Sequence, residues 1–312
     1  MSRNYGIGSR VMANAGQMIV NRKFHGGYQS KRDIGQRWGY FSKWAAEQGV
    51  KKMENVTREL VVKYGQHLQG ELDAGERKSS SAPKNYVSAV NTVMKLATNN
   101  EWQTVRPGKD CKIQRRIYIS VENKAMTQTT HQTAQGVVSE RLSCLLDLQR
   151  AFGLRFKESC LLNPKLALKE AVKHGRITLK AGTKGGKRRS VLCRPYGITA
   201  LQNAISVQDG HSMIPKNRLY GDFRKECYEE ARTAGISFHP EPHAYTHERY
   251  MEITGDPAPI EAGWSRKERI AILATYLNIS EAEAKEIDRA ARLQISIELG
   301  HNRVEITNAY LG

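Results

Sequence analysis

The sequence contains no C-x-x-C pair. Its five cysteines, Cys111, Cys144, Cys160, Cys193 and Cys227, are odd in number and widely spaced, which argues against both a zinc site and a disulfide framework. Cys144 and Cys160 sit among leucines, as small buried hydrophobes do. No run approaches the ~18 apolar residues that a membrane helix requires. The opening "MSRNYGIGSRVMANAG" has no long apolar core, so no signal peptide is expected and a reducing cytoplasm is. Acidic residues are scarce: Lys+Arg number 49 and Asp+Glu 31, a net charge of +18. A chain this basic is expected to meet a polyanion, and nucleic acid leads that class.

Helical periodicity is present in quantity. "KRDIGQRWGYFSKWAAEQGV" spaces Ile34, Trp38, Phe41 and Ala45 by three and four. Leu60, Tyr64, Leu68 and Leu72 repeat the pattern, and so do Tyr86, Val90, Val93 and Leu96 behind Pro83. The stretch 105–136 begins basic and turns rich in Thr, Gln and Asn, the composition of a connection that tracks a phosphate backbone. "VVSERLSCLLDLQRAFGLRFKESCLL" reads as two helices around the turn "FGLR". "RITLKAGTKGGKRRSVLC" is a hairpin with a Gly-rich tip. Ser280 and Glu283 form a capping box, and Gly300 ends the helix they open.

Six polar positions stand out: Arg155 after a Gly-Leu turn, Lys184 at the hairpin tip, His239 and His243 around "PEP", His301 after Gly300, and Tyr310. Singly each has an ordinary structural explanation, such as a surface arginine or a helix C-terminal cation. Together "GLRFKESCLL", "GTKGGKRRSV", the His-rich segment, "ELGH" and the final "YLG" resemble the tyrosine recombinases, or phage integrases, of bacterial mobile elements. The resemblance covers most of the chain and is most specific over "ARLQISIELGHNRVEITNAYLG". It implies a mainly α fold with a small β-hairpin, in two domains. The expected division is a lead-in or DNA-contacting arm over 1–29, a helical SAM-like core-binding domain over 30–120, a linker over 121–136 and an α+β catalytic domain over 137–312.

The resemblance also implies the chemistry. Tyr310 would be the nucleophile that forms a 3′-phosphotyrosine, Arg155 the phosphate clamp, Lys184 the general acid, His301 a hydrogen-bond donor to the phosphate, and His239 an aid to proton transfer. The bond energy is kept in the phosphotyrosine, so neither metal nor other cofactor is expected. Partners would be double-stranded DNA at specific sites, a homotetramer on that DNA, and accessory directionality or bending factors. The location would be bacterial, at the nucleoid. Lys109, Lys112, Arg115, Arg116, Lys187, Arg188 and Arg303 are the expected DNA contacts.

One position departs from the pattern. The family's second motif is His-x-x-Arg, and in "HPEPHAYTHERYMEITG" the arginine position holds Pro242. Loss of one such donor typically costs about 10²–10³ in rate. Three readings stay open: an impaired relative acting as a DNA-binding or regulatory protein; another arginine, Arg249 or Arg232, filling the gap, although Arg249 lies about two helical turns downstream; or a different register in which a less usual geometry supplies the donor, His243-x-x-Thr246 doing no better. A type-IB topoisomerase would share the chemistry, but the "GLR" and "LGH" contexts favour a recombinase.

Overall fold

The computed structural model describes residues 3–77, 79–114, 119–265 and 267–312. The chain divides into two units, residues 1–117 and 118–312.

The first unit is helical: α1 (Met12–Lys23), α2 (Tyr28–Glu47), α3 (Arg58–Asp73) and α4 (Ser81–Ala97). Helix α1 packs on α2 and α4, and α3 packs on α4. The apolar stripe read in the sequence faces inward: Trp38, Phe41 and Ala45 on α2 are fully buried, with Tyr64 and Leu68 on α3 nearly so. Phe41 meets Tyr64 edge-on at 5.1 Å between ring centroids. The expected lead-in over 1–29 instead contains α1, whose Ala15, Ile19 and Val20 lie in this core. Its crossing with α2 is close. The Trp38 indole donates to the Met12 carbonyl at 2.9 Å, and a Cβ on Gly16 would lie 2.0 Å from the indole nitrogen. After α4 the chain stays on this unit. The Asn91 amide brackets Val105 through its carbonyl (2.8 Å) and its N–H (3.0 Å), and Cys111 and Ile113 are buried.

The second unit runs α5 (Gln128–Val137), α6 (Glu140–Phe152), α7 (Phe156–Leu161), α8 (Pro164–His174), β1 (Arg176–Leu179), β2 (Arg189–Leu192), α9 (Pro195–Ser206), α10 (Tyr220–Thr233), α11 (Pro240–Thr254), α12 (Arg269–Leu277), α13 (Glu281–Glu298) and α14 (Asn308–Leu311). Helix α6 is central, packed by α9, α11 and α5. The strands pair antiparallel, with Ile177 opposite Val191 and Leu179 opposite Arg189. Helix α5 falls within the expected linker, yet it packs on α6 with His131 and Ala134 buried. The folded boundary therefore lies earlier than 121. Sequence periodicity missed α5 because only two of its residues are buried and one of them, His131, is polar, bonded to Asp147 of α6 and Glu241 of α11.

Local chemistry sets the helix ends near the positions singled out in the sequence. Ser139 caps α6 and Asn163 caps α8, each accepting from the N–H three residues on. Helix α13 opens on the Ser280–Glu283 capping box and closes with Gly300 at φ +79°. There the Gly300 N–H bonds to the Ile297 carbonyl and the His301 N–H to Ser296, a Schellman arrangement that aims His301 off the helix end. The four residues of α14 are too few to be a stable helix alone. They are held from outside, by His247 Nε2 donating to the Tyr310 carbonyl (2.9 Å), the Ile260 N–H to Leu311 (3.1 Å) and Arg292 to Asn308 (3.2 Å). The Pro/Gly-rich loop carrying Ile260 thus packs against α14.

Candidate active site

Arg155 occupies the N-cap of α7, where its own backbone N–H bonds to Glu158 (2.7 Å). Its guanidinium donates to Glu158 (3.0 Å), to the Leu299 carbonyl (3.2 Å) and to His301 Nε2 (3.3 Å). A third of the side chain remains exposed. Glu158 is wholly buried and also pairs with Arg189 at 2.7 Å. One carboxylate therefore orients two arginines, which is a tolerable burial only because both partners are present. Arg189 is spent on this framework: its terminal nitrogens donate to Glu158, to Gly153 (3.0 Å) and to the Glu298 carbonyl.

Tyr310 faces the start of α11. Its ring centroid lies 4.5 Å from that of His243 and 6.4 Å from His239, and the two histidines meet edge-on at 5.1 Å. His243 is buried and His239 is exposed. Burial raises the Tyr310 phenol above its ordinary range, and Arg155 and Arg189 pull it back. The part of the His239 ring that faces the protein is desolvated, and this, then Arg155 and Lys124, holds its value low. His243 falls to about 3, through burial and the charges of His239, His247 and Lys124. His301 is lowered by burial, then by Arg155, Lys184, Arg189 and Arg303. The site thus combines neutral imidazoles with a surplus of fixed positive charge, an arrangement suited to an anionic group that spreads its charge.

Of the positions singled out in the sequence, Arg155, His239, His301 and Tyr310 come together, and Lys184 is near enough for its charge to act on His301. Lys184 sits in a short turn at the hairpin tip, with Lys187 and Arg188 exposed beside it. Arg303 is exposed beyond His301. Lys109 and Lys112 are exposed on the first unit. Arg115 and Arg116 lie outside the described residues. Arg249 does not fill the gap at Pro242. It is buried, with Nε and Nη2 on Glu298 (3.1 and 3.0 Å) and Nη1 on Glu252. Arg232 is exposed on the last turn of α10, lining an apolar depression with Tyr228 and Phe238.

Pro242 itself has a physical account. Counting from the N-cap His239, it is the third residue of α11. The first four N–H groups of a helix have no intrahelical acceptor, so a proline there breaks no bond. Its carbonyl still accepts from Thr246 Oγ1 at 2.7 Å. The neighbouring Glu241 is buried and bonded to His131 (2.6 Å), which also reaches Asp147 (3.1 Å). That contact ties the start of α11 to α5. Glu158, Arg189 and Lys124 belong to the site but were not picked out in the sequence as its members, and His243 stood out there without a role. The Arg-x-x-Glu spacing was a usable signal for Glu158. The rest depend on contacts far apart in sequence.

The fold is that of the tyrosine recombinases and integrases. No protein-family model matches the chain and no curated protein matches it significantly. Solved structures do. A lambda integrase dimer bound to a COC′ core site aligns with TM-score 0.50 at 12% identity, covering 88% of this chain and 75% of that one. The XerH site-specific recombinase bound to a palindromic difH substrate gives 0.49 at 14%, over 88% and 80%. The Tn1549 transposon integrase in complex with circular intermediate DNA gives 0.47 at 11%, over 89% and 99%. Among the described residues no helix is long and apolar enough to cross a membrane, and no group of three or more His, Cys, Asp or Glu side chains is disposed to hold a metal ion.

Proposed function

We propose that this protein is a site-specific DNA recombinase that cleaves and rejoins strands through a covalent 3′-phosphotyrosine at Tyr310. The observation that carries the reading is the Tyr310 phenol enclosed between the His239–His243 pair and the positive charge of Arg155. Tyr310 Oη attacks the scissile phosphorus and a P–O bond forms. The P–O5′ bond breaks, and Lys184 on the hairpin gives its proton to the leaving 5′-oxygen. The phenolic proton leaves to the histidine pair, and the exposed His239 passes it to solvent. An entering phosphodiester is anionic, so it raises both imidazoles toward their ordinary range just when a base is required. Arg155 and His301 hold the non-bridging oxygens through the pentacoordinate state. Reversal with a new 5′-hydroxyl rejoins the strand.

In this reading each unit contacts duplex DNA. Lys109, Lys112, Lys187, Arg188 and Arg303 contact phosphates, and the active assembly is a tetramer on two sites, with bending or directionality factors as partners. Affinity then falls steeply with salt.

The experiment is capture under denaturing conditions from cells that carry the native element. Wild type is expected to retain covalently attached DNA and Tyr310→Phe none. Sequencing the attached DNA names the target. Absence of adducts from wild type would favour the second reading, a DNA-binding relative that does not cleave, for which Pro242 is the specific observation.

A further inference from the structure

The stretch before α5 is bonded at both ends to elements of the site. The Ser120 N–H bonds to the Asn308 carbonyl at 2.9 Å, two residues before Tyr310. The Met126 N–H bonds to the Pro240 carbonyl at 3.2 Å, one residue after His239. Arg150 holds the Met126 carbonyl from behind at 3.0 Å. Between these anchors, Ser120 Oγ donates to the Glu122 carbonyl (2.8 Å), and the Ala125 N–H bonds to Asn123 Oδ1 (2.9 Å). The strap is thereby fastened to the element carrying the tyrosine and to the element carrying the histidines.

Lys124 is carried on that strap. It is exposed, and among the described residues it makes no hydrogen bond or ion pair. Two residues separate it from the Met126 anchor, a span of at most about 7 Å. Its charge reaches both His239 and His243, behind burial and the nearer charges.

The α11 side of the site is otherwise poor in available cations. Arg150 is held by Glu241 and Glu248, Arg194 by Glu248 and Glu252, Arg249 by Glu298 and Glu252, and Arg189 by Glu158. Pulling any of these toward a substrate would strand a carboxylate. A phosphorane needs positive charge on more than one face, and Arg155 supplies only one.

We propose that Lys124 is a catalytic residue: its ammonium contacts a non-bridging oxygen of the scissile phosphate, on the face where Pro242 leaves no guanidinium. This rests on the recombinase reading above. A lysine meets phosphate as a compact point charge rather than a fork, which suits a donor delivered from a strap rather than from a helix.

The test uses the full-length protein and two readouts. The first is the rate of covalent adduct formation on the DNA recovered with wild type. Lys124→Ala is expected to lower it by about 10²–10³. Lys124→Arg should stay within about tenfold of wild type, and Pro242→Arg should restore the Lys124→Ala protein. An unchanged rate in Lys124→Ala would overturn the proposal and leave the recombinase reading standing. The second readout is orthovanadate binding followed through the histidine ring proton resonances, which needs no cleavage. If wild type forms no adduct, the recombinase reading fails, and this titration still decides the contact. Vanadate binding at least tenfold weaker in Lys124→Ala, and unchanged in Lys285→Ala, whose lysine is exposed on α13, supports it. Equal binding in all three proteins overturns it. Lys124 is exposed, so an unchanged melting temperature of Lys124→Ala is expected and guards against a folding artefact.

Discussion

The two units bury different chemistry. Among the described residues, the buried polar side chains of the first unit are Asn4, Ser42 and Asn91, and none is charged. The second unit buries Asp147, Arg150, Glu158, Arg189, Arg194, Glu241, Arg249, Asp288, Arg292 and Glu298 in connected networks. A core of Trp38, Phe41 and Val90 needs only shape and area. Ion networks add little net stability, because desolvation offsets attraction, but they fix directions in a way apolar packing does not. The contrast separates a packed platform from a scaffold that aims side chains, and the candidate site lies wholly in the second.

The largest effect expected from breaking this contrast is at Glu158. Glu158→Gln keeps the volume and leaves two guanidinium groups facing a neutral amide, a loss of about 3–5 kcal/mol. Native-state hydrogen exchange on the whole chain should show protection falling across 118–312 while α1 to α4 keep theirs. An equal loss in both units would dissolve the distinction.

Next comes pH. Burial alone would lower His131, but its bonds to Asp147 and Glu241 outweigh that and raise it from 6.5 to about 9. The folded value lies above the unfolded one, so the native state holds the extra proton. The contribution is complete below about 6.5 and is lost as pH rises through about 9, up to ~3 kcal/mol in all. Exchange protection in α5 and α11 should therefore decline between these limits, and His131→Ala should flatten the decline. The first unit, with no buried charge among its described residues, should be insensitive over the same range.

The smallest effect probes packing alone. Gly16→Ala places a methyl against the Trp38 indole and should cost about 1–3 kcal/mol in the first unit, independent of pH and salt. Chemical unfolding at two ionic strengths checks this. A strong salt dependence would mean that hidden charge contributes to that core.

Much of the fold was legible because its rules are short-ranged. The i, i+3, i+4 stripes gave α2 to α4, the Ser280–Glu283 box opened α13, Gly300 closed it, and "GTKGG" marked the hairpin turn. What escaped has a common cause. Helix α1 looked like a basic arm because its small buried residues, Ala15 and Gly16, carry a weak apolar signal. Helix α5 looked like a polar linker because His131 finds its partners in α6 and α11. At the site, Arg249 stood in the sequence as one of two candidates for the missing arginine, and only the fold shows that Glu298, 49 residues away, already holds it.

By itself the sequence determined the class of fold and the basic character, because capping, turn chemistry and side-chain type act within a few residues; Arg155, Lys184, His239, His301 and Tyr310 were named as candidates through a family resemblance. Only the tertiary structure decided who meets whom. It set His243 rather than His239 against Tyr310, tied Arg189 into the framework, and fastened the strap bearing Lys124 to elements of the site. Those contacts join positions far apart along the chain, 146 residues in the case of Arg155 and His301, and such pairings follow from packing a whole domain rather than from any local pattern.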